Sequence, residues 1–328
     1  MNLQPSKAIK IDGRKSMSFV AKYGTLIGMG IMLVAFSLSK PQAFPSPSNL
    51  INILNQSSLT AIIAGGLTLA LIVGEMDLSV GYNASLAGVL VTGLIVGQHF
   101  PVWLAILATI LIGALVGFVN ALIVTKLKVN SVIATLGTGS IVQGITFAYS
   151  QGVPIASGVP AAFKNISLGR TLSIPNNILI MLGVLIILWI LVNRTEWGQQ
   201  LQATGGNIEA SRLSGIRVDN IKTMAFMITG AAAALTGILL ASLIGSGTAH
   251  AADGYLMASF AAVFLGSATL KDGEFHIIGT LIGVLIIQIG FNGMAIFGVP
   301  IFFQDVFRGT ILILAVGLST VARRLSRS

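Results

Sequence analysis

Long apolar runs follow one another along nearly the whole chain, and they constrain its fold more than any other feature. The runs at 178–192 and 277–289 contain hardly any polar side chain. A helix crosses the bilayer core with roughly 20 apolar residues. Hydrophobic residues make up 54% of the chain and charged residues only 9%, which is far from the composition of soluble proteins. The sequence therefore predicts an all-α, polytopic integral membrane protein.

The hydropathy pattern predicts about ten transmembrane helices. Residues 1–23 would form a basic N-terminal segment, 24–321 the transmembrane domain and 322–328 a basic tail. The first helix has the layout of a secretory signal, but its removal would leave an odd number of spans, so we expect it to be retained. The predicted helices lie near residues 24–39, 57–74, 80–97, 102–124, 131–148, 176–193, 222–245, 256–270, 276–296 and 304–321.

Lysine and arginine are concentrated on one side of the predicted transmembrane domain. Basic groups precede the first helix, follow the fourth and the sixth, and close the chain, whereas the opposite loops hold only Lys40, Lys164 and Arg170. Because cytoplasmic loops are enriched in these residues, both termini are expected to be cytoplasmic. The same distribution accounts for the formal net charge of +9, so topology and anionic lipid explain the basic residues better than nucleic acid does.

The sequence carries no recognisable motif for catalysis or metal binding. It has no cysteine and no Gly-Lys pair of a phosphate-binding loop, and neither HExxH nor GxSxG occurs. Its histidines, His99, His250 and His276, lie in separate loops or at span ends, which is not metal-ligand spacing. We therefore expect no catalytic residue, no metal and no cofactor bound by this chain.

Pairs of glycines four residues apart occur inside several predicted spans. Such pairs let helix backbones approach each other closely. We interpret them as sites of internal packing, with subunit dimerisation as the alternative. The pairs are Gly24/Gly28, Gly93/Gly97, Gly113/Gly117 and Gly279/Gly283.

The stretch 74–81, GEMDLSVG, places two carboxylates, a hydroxyl and two glycines between apolar runs. Glu75 and Asp77 should face protein or water, because a charge near the hydrocarbon costs about 2.5 to 3.5 kcal/mol. An interrupted backbone at this depth can line a solute pathway or a gate. Asp77 and Ser79 can alternatively cap the following helix by accepting hydrogen bonds from its free N–H groups.

Uncharged polar side chains inside the predicted spans are further candidates for the translocation pathway or its gate. Their amides can hydrogen-bond the hydroxyls of a sugar, and they can equally bond one helix to another. Together with Glu75, Asp77 and Ser79, the predicted set contains Asn83, Asn120, Gln143, Gln288 and Asn292.

The loop 194–222 is the most polar segment, and it reads QATGGNIEASRLSGIRVDNIK over 202–222. Asn207 is suited to cap the N-terminus of a short helix, and Glu209 suits the positive first turn. Gly215 can end the helix in the left-handed conformation. A helix of two turns is marginal alone, so the bundle or a partner protein must hold it.

This loop resembles the cytoplasmic coupling segment of ribose-type permease subunits of ATP-binding cassette importers, in the branched-chain amino acid and ribose permease superfamily. That segment typically reads A-x-G-x-N-x-x-A-A-x-x-x-G-I, and Ser211 replaces its second alanine here. The chain departs from the family pattern at 254–262, where two acids are absent, and at 272–276, where a glycine cluster is replaced. The matching residues are Ala203, Gly205, Asn207, Ala210, Gly215 and Ile216, joined by DLSVG at 77–81, Asn120 with TLGT at 135–138, Asn292-Gly293 and GTILILAV at 309–316.

The resemblance implies a division of labour among subunits. An extracytoplasmic binding protein would deliver a small polar solute, with a sugar as the expected solute. This chain would form the pathway with a second copy of itself or a related permease in the bacterial plasma membrane. Cytoplasmic ATPase subunits would use ATP and Mg²⁺ and would dock on the loop. The residues implied for coupling are Gly205, Asn207, Glu209, Ala210, Arg212 and Gly215.

Two alternatives remain open from the sequence. The loop can pack against its own bundle without touching an ATPase. The whole chain can be an ion-coupled secondary transporter in which Glu75 or Asp77 carries the coupling.

Overall fold

The computed structural model describes residues 13–270 and 273–327, with side chains over 23–270, 273–314 and 316–317. In these ranges the chain is mostly helical, and its strands are confined to one two-stranded antiparallel hairpin. The all-α prediction is confirmed apart from this hairpin, which lies with α6 in a predicted loop. The elements are α1 Gly13–Ser39, α2 Pro47–Ile72, α3 Val80–Val96, α4 Val102–Thr125, α5 Ser131–Ser150, α6 Ala161–Leu168, β1 Arg170–Thr171, β2 Ile174–Pro175, α7 Asn176–Arg194, α8 Glu196–Gly206, α9 Ile208–Leu213, α10 Val218–Ile244, α11 Asp253–Ser267, α12 Ile277–Ile296 and α13 Phe302–Arg327.

The predicted start of α2 is wrong by about three turns. The helix begins at Pro47 rather than near residue 57. The side chain of Ser46 accepts a hydrogen bond from the backbone N–H of Asn49 at 3.3 Å, and proline occupies the first helical position. Both features favour a helix start. The polar segment 47–56 is therefore helical and not part of a loop.

Within the described ranges, six helices are long and apolar enough to cross a bilayer. They are α2, α4, α5, α7, α10 and α12, while Tyr23–Ser39 of α1 and Val80–Val96 are apolar but shorter. The remaining predicted spans, near 256–270 and 304–321, coincide with α11 and α13. These lengths and compositions are those of a multi-pass membrane protein.

Helix α10 packs against α2, α3 and α4 at the centre of the bundle. A Cβ atom at Gly117 of α4 would overlap the carbonyl oxygen of Phe226 in α10, and Gly113 meets α10 in the same way. These two helices therefore touch backbone to backbone. Gly279 and Gly283 of α12 lie equally close to the backbone of α11. Internal packing is thus confirmed for both pairs.

Candidate functional site

A stripe of polar side chains runs along the N-terminal half of α2. Asn49, Asn52, Gln56 and Thr60 follow one another at intervals of three or four residues, so they share one face of the helix. At a rise of 1.5 Å per residue the stripe is about 16 Å long. In so apolar a bundle, such a face is expected to meet protein or water rather than lipid.

Helices α12 and α13 complete a cleft over this stripe. Two adjoining cavities, of about 320 Å³ and about 220 Å³, share Phe291 and Gln304 in their walls. The larger lies at the N-terminal end of α2, and the smaller is closed on one side by α11. The larger alone reaches the size range of ligand pockets, about 300 to 1,000 Å³. We call the combined space the amide cleft, after Asn49, Asn52, Gln56, Gln288, Asn292 and Gln304 in its walls.

Two amides of the cleft bond to each other. Nδ2 of Asn49 donates to Oδ1 of Asn292 at 2.9 Å, and Nδ2 of Asn292 donates back to Oδ1 of Asn49 at 2.9 Å. This pair ties α2 to α12. The side-chain amides of Gln288 and Gln304 have no hydrogen-bond partner in the described part of the chain. They are therefore available to a solute or to water.

Arg308 brings a charge to the deep end of the cleft. Its guanidinium donates to Asp305 at 3.1 Å and lies 5.3 Å from the centre of the Phe291 ring. The carboxylate balances the positive charge. The Nε of Arg308 is buried without a hydrogen-bond partner among the described residues. One charged donor thus remains unused at this position.

The cleft ends about halfway along α2. Beyond Thr60 the same face continues with Ile63, Ala64 and Leu67, which are completely buried. These apolar side chains belong to the main hydrophobic core. The cleft is therefore open near the start of α2 and closed towards its end.

At that other end, residues 73–79 form a break between α2 and α3, which we call the junction. Oδ1 of Asp77 accepts from the backbone N–H of Ser79 at 2.9 Å and from its hydroxyl at 2.6 Å. Asn120 of α4 donates to the Ser79 hydroxyl at 2.8 Å and to Oδ1 of Asp77 at 3.4 Å. Asp77 thus holds one backbone N–H, that of Ser79 at the N-cap position of α3, whereas the Ser79 side chain makes no capping bond to the helix.

The Asp77 side chain is almost completely buried, and its burial has an electrostatic consequence. Desolvation raises the pKa of this carboxyl to about 6, although the hydrogen bonds from Ser79 and Asn120 act in the opposite direction. Oδ2 is buried and has no partner in the described structure. The carboxyl is therefore close to protonation at mildly acidic pH.

The junction is also connected to α10 and α5. Glu75 forms an ion pair with Lys222 of α10 at 2.5 Å, and the two side chains are 13% and 14% exposed. The backbone N–H of Leu78 donates to the hydroxyl of Thr135 in α5 at 3.0 Å. The junction thus joins three helices besides the two that it links in sequence, because α4 contributes Asn120.

Helices α8 and α9 lie beside the junction. A Cβ atom at Gly205 of α8 would overlap the carbonyl oxygen of Ile72, the last residue of α2. Asn207 accepts from the backbone N–H of Ala210 at 3.0 Å, and Gly215 has a φ of 83°. The predicted short helix, its N-cap and its left-handed glycine are confirmed.

The outer face of α9 is exposed. Glu209 and Arg212 form an ion pair at 3.2 Å, with 79% and 48% of their side chains exposed. Leu213 is 90% exposed. This face is free to contact another protein.

The predicted pathway residues separate into three groups. Gln288 and Asn292 line the amide cleft. Asn83 donates to the carbonyl oxygens of Gly113 and Gly230 at 3.1 and 3.2 Å, so it bonds α3 to α4 and α10. Gln143 donates to the carbonyl of Ala249 at 3.3 Å, away from the cleft. The third group, at the junction, contains Glu75, Asp77, Ser79 and Asn120.

Most residues of the cleft were not predicted from the sequence. The signal that could have revealed it is the spacing of polar residues on α2, which starts directly after the Ser46-Pro47 helix-start signal. No group of three or more potential metal ligands occurs among the residues that the structure describes. The missed residues are Asn49, Asn52, Gln56, Thr60, Gln304 and Arg308 in the cleft and Lys222 beside the junction.

Comparison with known proteins places the chain among permeases. The sequence model of the family described as "Branched-chain amino acid transport system / permease component" matches residues 49–316. The chain is 38% identical over 311 residues to the ribose import permease of Bacillus subtilis (strain 168), covering 94% of each chain.

Two further relatives are also permeases of sugar transport systems. The ribose import permease of Escherichia coli (strain K12) is 34% identical over 311 residues, 93% of this chain and 96% of that one. The D-allose transport system permease of the same organism is 31% identical over 300 residues, 92% of each. No solved structure matches the chain. Since the family model covers most of the chain and these relatives match more than nine-tenths of it, the chain belongs to this family of transport-system permeases.

Proposed function

We propose that the chain is the membrane-spanning permease subunit of an ATP-binding cassette importer that carries a sugar into the cell. The observation that supports this most strongly is its similarity, over nine-tenths of its length, to permeases named for ribose and D-allose. The geometry agrees with such a role. The amide cleft lies at one end of α2, and the exposed α8 and α9 lie at the other end.

In this proposal ten helices, α1–α5, α7 and α10–α13, cross the bacterial plasma membrane, and both termini are cytoplasmic. The clustering of Lys and Arg on one side supports this orientation. The junction, α8 and α9 then face the cytoplasm, and the amide cleft opens towards the extracytoplasmic side. A solute-binding protein would deliver its sugar to that side.

The partner ATPase would dock on α9. Arg212 and Leu213 are exposed there, and Glu209 holds the arginine in place. Because Gly205 packs directly on the end of α2, a push on this segment would reach the junction. ATP and Mg²⁺ would bind to the ATPase, while this chain changes between two arrangements without chemistry of its own. It would work as a dimer with a second copy or with a related permease.

The test is purification of the tagged chain in mild detergent from its native host, followed by mass spectrometry. Recovery of an ATP-binding cassette ATPase is expected, with at least a fivefold loss for Arg212→Glu. The matched control is Arg170→Glu, which reverses an exposed arginine in β1, at the opposite end of the proposed topology. If Arg212→Glu retains the ATPase, Arg212 is not part of the contact.

A different result would favour the ion-coupled carrier. If crosslinked preparations contain no ATPase, and the purified chain alone transports a sugar into liposomes along an imposed ion gradient, the importer proposal is wrong. Glu75 and Asp77 would then be the first residues to test for ion coupling.

A further inference from the structure

The walls of the amide cleft are polar at positions where the bundle is otherwise apolar. Thr60, Gln288 and Asn292 are 2%, 8% and 6% exposed, so each is at least nine-tenths buried. Each amide offers two donors and one acceptor. Buried polar groups of this kind normally have hydrogen-bond partners. The amides of Gln288 and Gln304 have none among the described residues and line the cavities, so they are accessible to a ligand that enters the cleft.

The charge balance of the cleft indicates the chemical class of that ligand. Arg308 is the charged side chain in the described walls of the two cavities, and Asp305 already neutralises it. An amino acid carries an ammonium and a carboxylate, and burying either one without a partner is costly. The described walls offer no carboxylate for the ammonium. Uncharged hydroxyls, by contrast, match amide donors and acceptors.

We propose that the amide cleft binds the solute during passage and selects an uncharged polyhydroxylated molecule over an amino acid. This inference rests on the proposed import function and adds the site and its selectivity. Gln288 and Gln304, which line the cavities, bond the hydroxyls. The Asn49–Asn292 pair keeps α2 and α12 at the distance that forms the cleft.

The absence of cysteine from the chain permits a direct test of water access. In the full transporter in vesicles, Gln304→Cys and Gln288→Cys each place the only cysteine of this chain in the cleft. Leu111→Cys is the control, because this α4 residue is 61% exposed on the apolar outer surface of the bundle. A membrane-impermeant methanethiosulfonate applied from the extracytoplasmic side should modify both cleft thiols at least tenfold faster than the control. Equal rates at all positions would overturn the proposal.

The second test measures transport by the complete complex in proteoliposomes. The probes are radiolabelled D-ribose and D-allose, with ATP hydrolysis followed in parallel. Gln288→Leu and Gln304→Leu should lower the sugar imported per ATP hydrolysed at least fivefold, because the ATPase still works while the cleft no longer holds the solute. Gln98→Leu makes the same change at an exposed position outside the cleft and should have no effect. An excess of L-leucine should not compete.

The outcomes distinguish failure of the cleft proposal from failure of the proposed import function. Normal import per ATP in both glutamine variants, or competition by L-leucine, would refute the cleft proposal and leave the import function intact. A proportional loss of import and ATP hydrolysis would indicate a merely structural role. If either leucine variant cannot be purified as a complex, the asparagine variant at the same position, Gln288→Asn or Gln304→Asn, is used instead. The sugar imported per ATP hydrolysed should again fall. Import of neither sugar by the unaltered complex would refute the sugar-import function itself.

Discussion

Replacing Asp77 by asparagine removes a charge from the junction without changing the shape of the side chain. The buried carboxyl holds the turn before α3 through Ser79. One oxygen of an asparagine can accept the same bonds. The variant therefore separates the capping function of the residue from the effect of its charge.

The structure gives the size of the charge effect. The pKa of Asp77 rises from 3.8 to about 6, a shift of about two units, and each unit corresponds to about 1.36 kcal/mol. Ionised Asp77 thus costs the native state about 3 kcal/mol relative to a solvated carboxylate. Since the folded pKa is raised, the protonated group contributes this stability fully below about pH 4. The contribution is lost as the pH rises through about 6.

The assay is thermal unfolding of the detergent-solubilised protein at several pH values between 4 and 7.5. The apparent midpoint of the wild type should fall over this interval more than that of Asp77→Asn. At pH 7.5 the variant should be the more stable by up to about 3 kcal/mol, or several degrees Celsius. Glu196→Gln is the control, because it neutralises an exposed carboxylate of α8 and should leave the pH dependence unchanged.

Two results would refute this reasoning. One is a parallel pH dependence in wild type and Asp77→Asn, and the other is a variant less stable than wild type at pH 7.5. Asp77→Leu, which removes the acceptor for Ser79, should lower the midpoint at every pH. Normal uptake by Asp77→Asn would support capping and would contradict a charged pathway role for this residue.

Two further predictions concern the cytoplasmic end of the proposed topology. Gly205→Ala should force α8 away from Ile72 and reduce uptake at least fivefold while the ATPase stays bound. Gly206→Ala should be neutral, because the space around its Cβ position is open. Equal uptake by the two variants would contradict a direct push of α8 on α2. Glu75→Lys should destabilise the protein by about 2 kcal/mol, because it places two partly buried positive charges side by side. Adding Lys222→Glu should restore most of the lost stability. A double variant no more stable than the single one would exclude the ion pair as the cause.

The long helices could be predicted from the sequence, because apolar runs of sufficient length have few other solutions in a membrane, whereas α6 and α8 were not predicted. The sequence also predicted α9, since an N-cap asparagine and a left-handed glycine are local signals that act within a few residues. The prediction failed at the start of α2. Polar residues such as Asn49 and Gln56 lower the hydropathy of 47–56 to that of a loop, although Ser46 and Pro47 mark a helix start.

The amide cleft could not be predicted because its walls come from distant parts of the chain. Asn49 and Asn292 are 243 residues apart in sequence, and neither residue alone indicates the other. The same holds for Glu75 and Lys222, which are 147 residues apart. Polarity within a span showed that a partner must exist, but only the packing of the helices identified it.

The glycine contact between α4 and α10 has a consequence for the membrane potential. Where a Cβ atom at Gly117 finds no room beside Phe226, a water molecule or a hydrated ion finds none either. The two helices are therefore tightly packed along this contact. Each elementary charge that crosses a membrane at 100 mV dissipates about 2.3 kcal/mol. In the proposed import the sugar passes through the amide cleft, on the side of α12 and α13, so the α4–α10 contact need not separate and this flank would give ions no route.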